Sequence, residues 1–243
     1  MAARPFAAAL LEVLASVASR VEEDHPLLRE RPEEKVLLIV VTADKGLCGA
    51  FNGNIIKRTQ ATIAEKSWDE IQLLPIGKKG NDFFRRRDIP IRYQAINVFQ
   101  ALSPDTASDV ARVIIDDYAT EKVDAVYAIY NEFRSVIQQN LRLERLLPFR
   151  RLAAGAATVD YLYEPGPEEI LRELLPKHVE FQLYRILLES AAAEHGARMT
   201  AMEAASKNAG EMIDSLTLSY NRIRQAAITK EIIEIVSGAA ALG

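Results

Sequence analysis

The sequence predicts an α/β domain with a mainly parallel sheet, joined to terminal helices that pair as a coiled coil. Between residues 33 and 160, short β-branched apolar runs alternate with helical patterns, as expected for strands and helices layered in one domain. From Lys177 to Leu242 the chain contains no proline, so one helix can continue through this whole stretch. An apolar stripe near the N-terminus supplies a partner for it.

Composition excludes several classes of protein. The chain has 243 residues, of which 49% are hydrophobic and 26% charged, so it can form a packed core. The net charge of −4 disfavours a dedicated nucleic-acid binder, which usually carries a basic excess. The single cysteine excludes an internal disulfide and any multi-cysteine metal site. No run of 18 apolar residues is present, so a membrane span is not expected.

The first helix is predicted to extend to about Asp24, because Pro26 follows and disfavours helix in the residue before it. Glu12 lies in the middle of this segment, where the apolar region of a secretory signal peptide rarely tolerates a carboxylate. An amphipathic helix is therefore favoured over a signal peptide. Its apolar positions fall on one stripe: Phe6, Leu10, Leu14, Val17 and Val21.

The middle of the chain alternates between the two kinds of element. Strands are predicted at 35–42, 71–76, 89–95 and 123–130, with a fifth at 133–140 that pairs with the fourth as a hairpin. Helices are predicted at 50–66, 78–86 and 104–120. Ser103 is expected to cap the last of these helices, with Pro104 in its first turn. Residues 141–166 are rich in Arg, Ala and Gly and are expected to form a connection.

The C-terminal helix is too long to be hidden in its own domain. At 1.5 Å per residue it measures about 100 Å, which exceeds the diameter of a compact domain of this size. Pro176 is expected to kink it away from a short amphipathic segment at 168–175. Small residues dominate a heptad-like seam, so the Ala-rich N-terminal helix can approach closely and is the natural partner. The seam consists of Leu183, Ile186, Ser190, Ala193, Ala197, Ala201, Ala204 and Asn208.

The end of this helix carries apolar side chains on nearly every face. A helix that is apolar all round is buried, and the chain has no second domain to bury it. The sequence therefore predicts that another protein encloses the tip. These side chains are Ile228, Ile232, Ile233, Ile235, Val236, Ala239, Ala240, Ala241 and Leu242.

The search for chemistry finds no catalytic constellation. The segment 42–53 follows a strand and opens a helix, where a phosphate-binding loop would lie, but its glycine spacing matches neither the dinucleotide fingerprint nor a P-loop. Cys48 is interpreted as a buried structural residue, since no histidine is near it in sequence. The three histidines, His25, His178 and His195, lack the spacing of metal ligands.

Four segments resemble the gamma subunit of rotary, F-type ATP synthases. The longest is RIRQAAITKEIIEIVSGAA (222–240), which resembles the C-terminal motif of that family. TADKGLCGAFN (42–52) resembles the loop after its first strand. DYLYEP (160–165) and ARMTAM (197–202) also match that family. The resemblance as a whole extends from about Arg4 to the end of the chain.

The resemblance implies a fold and a function. The expected fold is a Rossmann-like central domain, with the N- and C-terminal helices in a long antiparallel coiled coil. The expected function is that of the central-stalk rotor subunit, which couples proton-driven rotation of the membrane c ring to ATP synthesis at the beta subunits. The implied partners are the alpha, beta, epsilon and c subunits, without nucleic acid, cofactor or metal. The catalytic sites would lie on beta and not on this chain.

Specific residues follow from the same resemblance. Tyr161, Tyr163 and Glu164 match the foot that rests on the c ring, although core packing remains an alternative for the tyrosines. An apolar bearing tip would be formed by Ile228, Ile232, Ile235 and Val236. Contacts with the beta subunits are implied for Arg198, Arg224, Gln225, Thr229 and Glu231.

The expected domains are an N-terminal coiled-coil helix at 1–25, the Rossmann-like domain at 33–160 and the C-terminal helix at 166–243. Members of the family begin with a longer first helix, so the resemblance implies that this chain lacks the start of it and that the cellular protein is longer. The chain also lacks the cysteine-paired insertion of chloroplast gamma subunits and any transit segment, which favours a bacterial protein on the cytoplasmic face of the membrane. Two alternatives remain at this point, a nucleotide-binding α/β enzyme with a helical tail and a coiled-coil adaptor.

Overall fold

The computed structural model describes Leu14 and residues 25–66, 68–136, 138–149 and 166–241. Two short 3-10 turns lie at Pro26–Leu28 and Val98–Gln100. The chain divides into two compact units, one ending at Met199 and the other beginning at Thr200. In chain order the elements are β1 (Lys35–Val41), α1 (Phe51–Glu65), β2 (Glu70–Ile76), α2 (Lys78–Phe84), α3 (Pro104–Ala119), β3 (Ala125–Phe133), β4 (Gln139–Leu147) and α4 (Pro167–Ala241).

A four-stranded sheet forms the centre of the first unit. Its strand order is β2-β1-β3-β4; β1 is parallel to both neighbours, and β3 and β4 are antiparallel. The mainly parallel sheet is therefore confirmed. Six of the seven residues of β1 are buried, as its unbroken apolar run requires for a strand covered on both faces.

Successive residues of β1 point to opposite faces of the sheet and enter two separate core clusters. Leu37 and Ile39 pack in one cluster with residues from α3 and the first part of α4, while Leu38 and Val40 pack in the other with residues from α1. Leu14 is helical and fully buried in the first cluster. The other residues of the predicted N-terminal helix, and so its pairing with the C-terminal helix, lie outside the described residues.

The strand predicted at 89–95 is wrong, because this segment makes only isolated bridges to β2. Leu73 donates its N–H to the carbonyl of Pro90 at 2.8 Å and accepts from Arg92 N at 2.8 Å, as in a parallel ladder. The next donor on β2 would be Pro75, which has no N–H, so the ladder cannot continue. Pairing resumes one residue out of step, where Ala95 N donates to the Pro75 carbonyl at 3.1 Å.

Ion pairs to the buried carboxylate of Asp117 hold this irregular segment against α3. The guanidinium of Arg92 donates to both carboxylate oxygens of Asp117 at 2.7 and 2.9 Å, and Lys122 Nζ lies 3.3 Å from the same carboxylate. Burial alone would raise the pKa of Asp117, but the two cations outweigh it and hold that pKa below its usual value. α3 itself begins as predicted after Ser103, although the Ser103 side chain makes no capping bond to a backbone N–H.

The hairpin partner of β3 lies later than predicted. Residues 133–140 contain the end of β3, the turn and only the first residues of β4, which continues to Leu147 through a stretch predicted to be a connection. The charged side chains of Arg142, Glu144 and Arg145 hide the strand pattern, because β4 is the edge strand, where charges are common. Leu143 and Leu147 nevertheless contribute to the two core clusters.

α4 is a single helix of 75 residues that contains Pro176. The predicted separate segment at 168–175 is therefore wrong, since it forms the first turns of the same helix. Buried residues recur along the helix from Leu171 to Ala193 at helical spacing, so this part belongs to the core. Every residue from Met202 to Ala240 is exposed within the chain.

A buried polar network links α4 to the last two strands. Arg185 Nη2 donates to Glu144 Oε1 at 2.6 Å, and the Tyr130 hydroxyl donates to Glu144 Oε2 at 2.6 Å. Burial alone would lower the pKa of Arg185, but the Glu144 carboxylate outweighs it and raises that pKa. About two turns before Arg185, His178 is buried against Phe149 with its Nε2 3.4 Å from Gln182 Nε2. Burial is the main cause that lowers the pKa of His178 to about 4, and repulsion from the Arg185 cation adds to it.

His178 is expected to make folding stability depend on pH. The unfolded histidine binds a proton near pH 6.5 and the folded one only near 4, so stability is complete above 6.5 and is lost as the pH falls to 4. The loss reaches about 3 kcal/mol at pH 4. In His178→Gln, unfolding free energies measured in denaturant between pH 6.5 and 4 should lack this part of the slope.

His195 provides the matched control, because it is exposed on the same helix. His195→Gln should retain the wild-type slope. Equal slopes for the wild type and His178→Gln would contradict the assignment.

Candidate partner-contact surfaces

The loop between β1 and α1 occupies the position at which many α/β proteins hold a phosphate. Here Asp44, a residue of this loop, binds backbone groups that follow β2. Its Oδ1 accepts from the backbone N–H of Lys78 at 2.9 Å and of Asn97 at 2.8 Å, and its Oδ2 accepts from Phe99 N at 3.1 Å. The Asp44 carboxylate therefore joins the β1–α1 loop to the segments beyond β2.

The glycines around Lys78 allow close packing against Thr42 at the end of β1. Gly77 has a φ of 95°, and a Cβ on it would lie 1.9 Å from the carbonyl oxygen of Thr42. Gly80 donates its N–H to Thr42 Oγ1 at 2.8 Å, where a Cβ on Gly80 would also lie at 2.8 Å. Gly77 thus allows contact with the backbone of Thr42, and Gly80 allows contact with its side chain.

Cys48 is buried, as predicted, and burial raises the pKa of its thiol. Asn52 Nδ2 donates to its sulfur at 3.2 Å. Beside it, Leu47 has a φ of 62° and an exposed side chain. Within the described residues no group of three His, Cys, Asp or Glu side chains could hold a metal ion.

Arg198, predicted to contact a partner, is bound to its own chain. Its Nη2 donates to Glu194 Oε1 at 2.6 Å, one helical turn back, and to the carbonyl of Gly46 at 3.3 Å. The buried carboxylate of Glu194 was not identified from the sequence. The Glu-x-x-x-Arg spacing, which places the two side chains together on a helix, is the signal that points to it.

The remaining predicted beta-contact residues all lie exposed on α4. Arg224 and Gln225 occupy one turn, and Thr229 and Glu231 the next. The predicted tip residues Ile228, Ile232, Ile235 and Val236 are between 46% and 72% exposed. Tyr161, Tyr163 and Glu164 lie outside the described residues.

Four apolar side chains of the tip share one stripe. At 3.6 residues per turn, the four predicted bearing residues fall within about 100° of arc. Gln225 lies inside that arc and Thr229 at its border. On the opposite side, Lys230 Nζ and Glu234 Oε1 are 3.6 Å apart and form a charged face. Ile233 is exposed outside the arc, so the tip is apolar on more than one face and polar where this ion pair lies.

Comparison with known proteins identifies the family. The family model described as ATP synthase matches residues 1–242. The ATP synthase gamma chain of Solibacter usitatus is 49% identical over 246 residues, covering 99% of this chain and 86% of that protein. The chain belongs to the ATP synthase gamma chain family. The gamma chain of Geobacter sp. strain M21 is also 49% identical and covers 98% of this chain and 84% of its own length.

Solved structures share the fold of this gamma-family chain at lower identity. A chain from the central stalk and c-ring structure of Tetrahymena thermophila mitochondrial ATP synthase aligns over 85% of this chain and 100% of its own, with a TM-score of 0.60 and 24% identity. A chain from the Euglena gracilis mitochondrial ATP synthase aligns over 99% of this chain and 91% of its own, with a TM-score of 0.66 and 18% identity. None of the helices among the described residues has the length and apolar character needed to cross a membrane.

Gly77→Ala is expected to destabilise the first unit. The added methyl group would overlap the Thr42 carbonyl, and φ at this position is unfavourable for any side chain. We expect a loss of about 3 kcal/mol or more in unfolding free energy, measured by chemical denaturation.

The control is Gly53→Ala in the first turn of α1, where no atom lies within 4 Å of the added Cβ. It should be neutral or stabilise the protein by up to about 1 kcal/mol, because Ala favours helix more than Gly does. Equal stabilities of the two variants would contradict the close packing described for Gly77.

Proposed function

We propose that this chain is the central-stalk rotor subunit of a proton-translocating ATP synthase, which couples rotation of a membrane c ring to ATP synthesis at beta subunits. The observation that carries the proposal is the exposed apolar stripe of α4, interrupted by Gln225 and Thr229, in a chain that belongs to the gamma family. The chain itself is non-catalytic, and the reaction takes place on the beta subunits.

The stripe supplies the energy of contact with a surrounding ring. Each tip side chain is about half exposed, so enclosing it stabilises the complex by about 1 kcal/mol. The charged face formed by Lys230 and Glu234 makes the tip different on its two sides. A rotating two-sided tip presents different contacts to each surrounding subunit in turn, and such differences in contact energy shift each subunit between its conformations.

The polar residues within the stripe fit contacts that form and break during each rotation. Gln225 and Thr229 can form hydrogen bonds either with a partner or with water, so these contacts can be exchanged during rotation. A fully apolar stripe would stay bound in one orientation. Arg224 and Glu231 add charges that select the orientation. Arg198 is assigned to a lower contact with beta, close to its own bond with Gly46.

The foot of the rotor is assigned to Tyr161, Tyr163 and Glu164, which would rest on the c ring. The proposal includes the three expected domains, at 1–25, 33–160 and 166–243, and a location on the cytoplasmic face of a bacterial membrane, with the alpha, beta, epsilon and c subunits as partners. The alternative of a nucleotide-binding enzyme is disfavoured, because the β1–α1 loop matches neither the dinucleotide fingerprint nor a P-loop.

Co-purification tests the assignment directly. Complexes that contain the untagged chain would be extracted from membranes of its native host with mild detergent and captured by an antibody against this chain. The rotor assignment expects alpha, beta, epsilon and c subunits in a fixed ratio with this chain. Recovery of the chain without them, or with bound nucleotide in equal amount, would reject it.

Gln225→Ala and Thr229→Ala are expected to lower ATP turnover by the assembled complex. Each change removes side-chain hydrogen bonds from the stripe, and one bond of ordinary strength corresponds to a rate change of about three- to tenfold. Neither change touches the core, so the assembled amount of complex and its thermal stability should be unaltered.

The matched control is Lys207→Gln on the same helix. It breaks an exposed ion pair with Glu211, which contributes little to stability. Its turnover should remain close to that of the wild type. Wild-type turnover in both stripe variants would remove those two residues from the contact.

A further inference from the structure

One side of α4 near its last buried turn is held by the β1–α1 loop. Arg198 Nη2 donates to the carbonyl of Gly46 at 3.3 Å and to Glu194 Oε1 at 2.6 Å. The Glu194 side chain is 7% exposed, so its carboxylate is held away from water with a charged partner. Bonds between charged groups in such surroundings are short and directional.

A different side of the same turn is held by the β3–β4 hairpin. Gln139 Nε2 donates to the backbone carbonyl of Ala193 at 2.9 Å. The hairpin backbone also passes over Gly196 at van der Waals distance, since a Cβ there would lie 3.5 Å from Val136 Cα and from Phe133 Cε2. A side chain longer than Ala at this position would push the hairpin away.

The angular positions of these residues place the contact with the β1–α1 loop and the contact with the β3–β4 hairpin on opposite sides of the helix. At 3.6 residues per turn, Ala193 and Ala197 face the core in the middle. Gly196 lies about 60° to one side of Ala193 and Arg198 about 140° to the other, with Glu194 between Ala193 and Arg198. Rotation of the helix about its own axis in either direction must therefore break one set of contacts.

The location of these contacts matters because α4 gains no buried residue after them. Ala201 is half-buried, and every residue from Met202 to Ala240 is exposed within the chain. The small apolar residues in the middle of the turn resist rotation of the helix only weakly, because small side chains interlock little with their neighbours. The flanking hydrogen bonds do resist it, because they weaken steeply when their angle changes.

We propose that the turn from residue 193 to 198 is a torsional clamp, in which the β1–α1 loop and the β3–β4 hairpin fix the helix against rotation about its axis. This proposal rests on the proposed rotor function, in which torque passes along α4. Glu194 and Gln139 are positioning residues: Glu194 orients Arg198 toward the loop, and Gln139 ties the hairpin to the helix.

The test uses the double variant Glu194→Gln/Gln139→Ala in the whole ATP synthase, reconstituted into lipid vesicles. ATP-driven proton pumping and ATP hydrolysis are measured together while the opposing proton gradient is raised. With no gradient, the ratio of protons pumped to ATP hydrolysed should equal that of the wild type. As the gradient increases, the variant should pump fewer protons per ATP hydrolysed and reach a lower final gradient. The reason is that the opposing torque rotates the helix in the weakened clamp.

A second measurement needs no rotation. Amide hydrogen exchange of Arg134 and Ser135, whose N–H groups close the hairpin turn on the Gln138 carbonyl, should accelerate by about tenfold in the double variant. Gln138→Ala/Asp109→Asn is the matched control, since it removes a neighbouring exposed glutamine side chain and an exposed ion pair with Arg112. The control should match the wild type in both measurements.

Two outcomes would overturn the clamp. One is an unchanged final gradient together with unchanged exchange. The other is a loss of coupling that does not depend on the gradient, because contacts that only support the fold would behave in this way. Failure of the wild-type chain to assemble or pump would instead reject the rotor function, and hydrogen exchange would still report separately on the clamp contacts.

Discussion

The structure depends on one helix that changes its surroundings along its length. Up to Ala193, α4 supplies buried side chains to the core and an arginine to a buried polar network. From Met202 to Ala240 every residue of the same helix is exposed within the chain. The packing around Arg185 and the contacts near Glu194 hold the part of the helix that belongs to the first unit.

Those elements whose pattern depends on local chemistry were predictable. The buried strand β1, helices α1 and α3 and the parallel order of the sheet follow from apolar runs and helical spacing. The strand predicted at 89–95 failed because its partner strand contains Pro75, a property of the neighbour and not of the segment itself. β4 was missed because edge position allows charged residues such as Arg142, and position in a sheet is settled only by the fold.

The candidate surfaces also divide into residues that the sequence predicts and residues that only the fold reveals. The exposed residues of the C-terminal motif were found from the sequence, since apolar side chains on a long helix are visible in the pattern. The charged face of Lys230 and Glu234 is harder to see in the sequence, because these two residues stand one turn apart among apolar neighbours. Asp44 was not identified, because its partners are backbone groups distant in sequence. Glu194 is signalled only by its spacing to Arg198, and its burial is visible only in the fold.

The carboxylate of Asp44 has a consequence for how the first unit is held together. Its N–H partners, Lys78, Asn97 and Phe99, belong to segments that follow β2, so one side chain of the β1–α1 loop joins them all. Because this anion is covalently part of the protein, the junction needs no diffusible ligand.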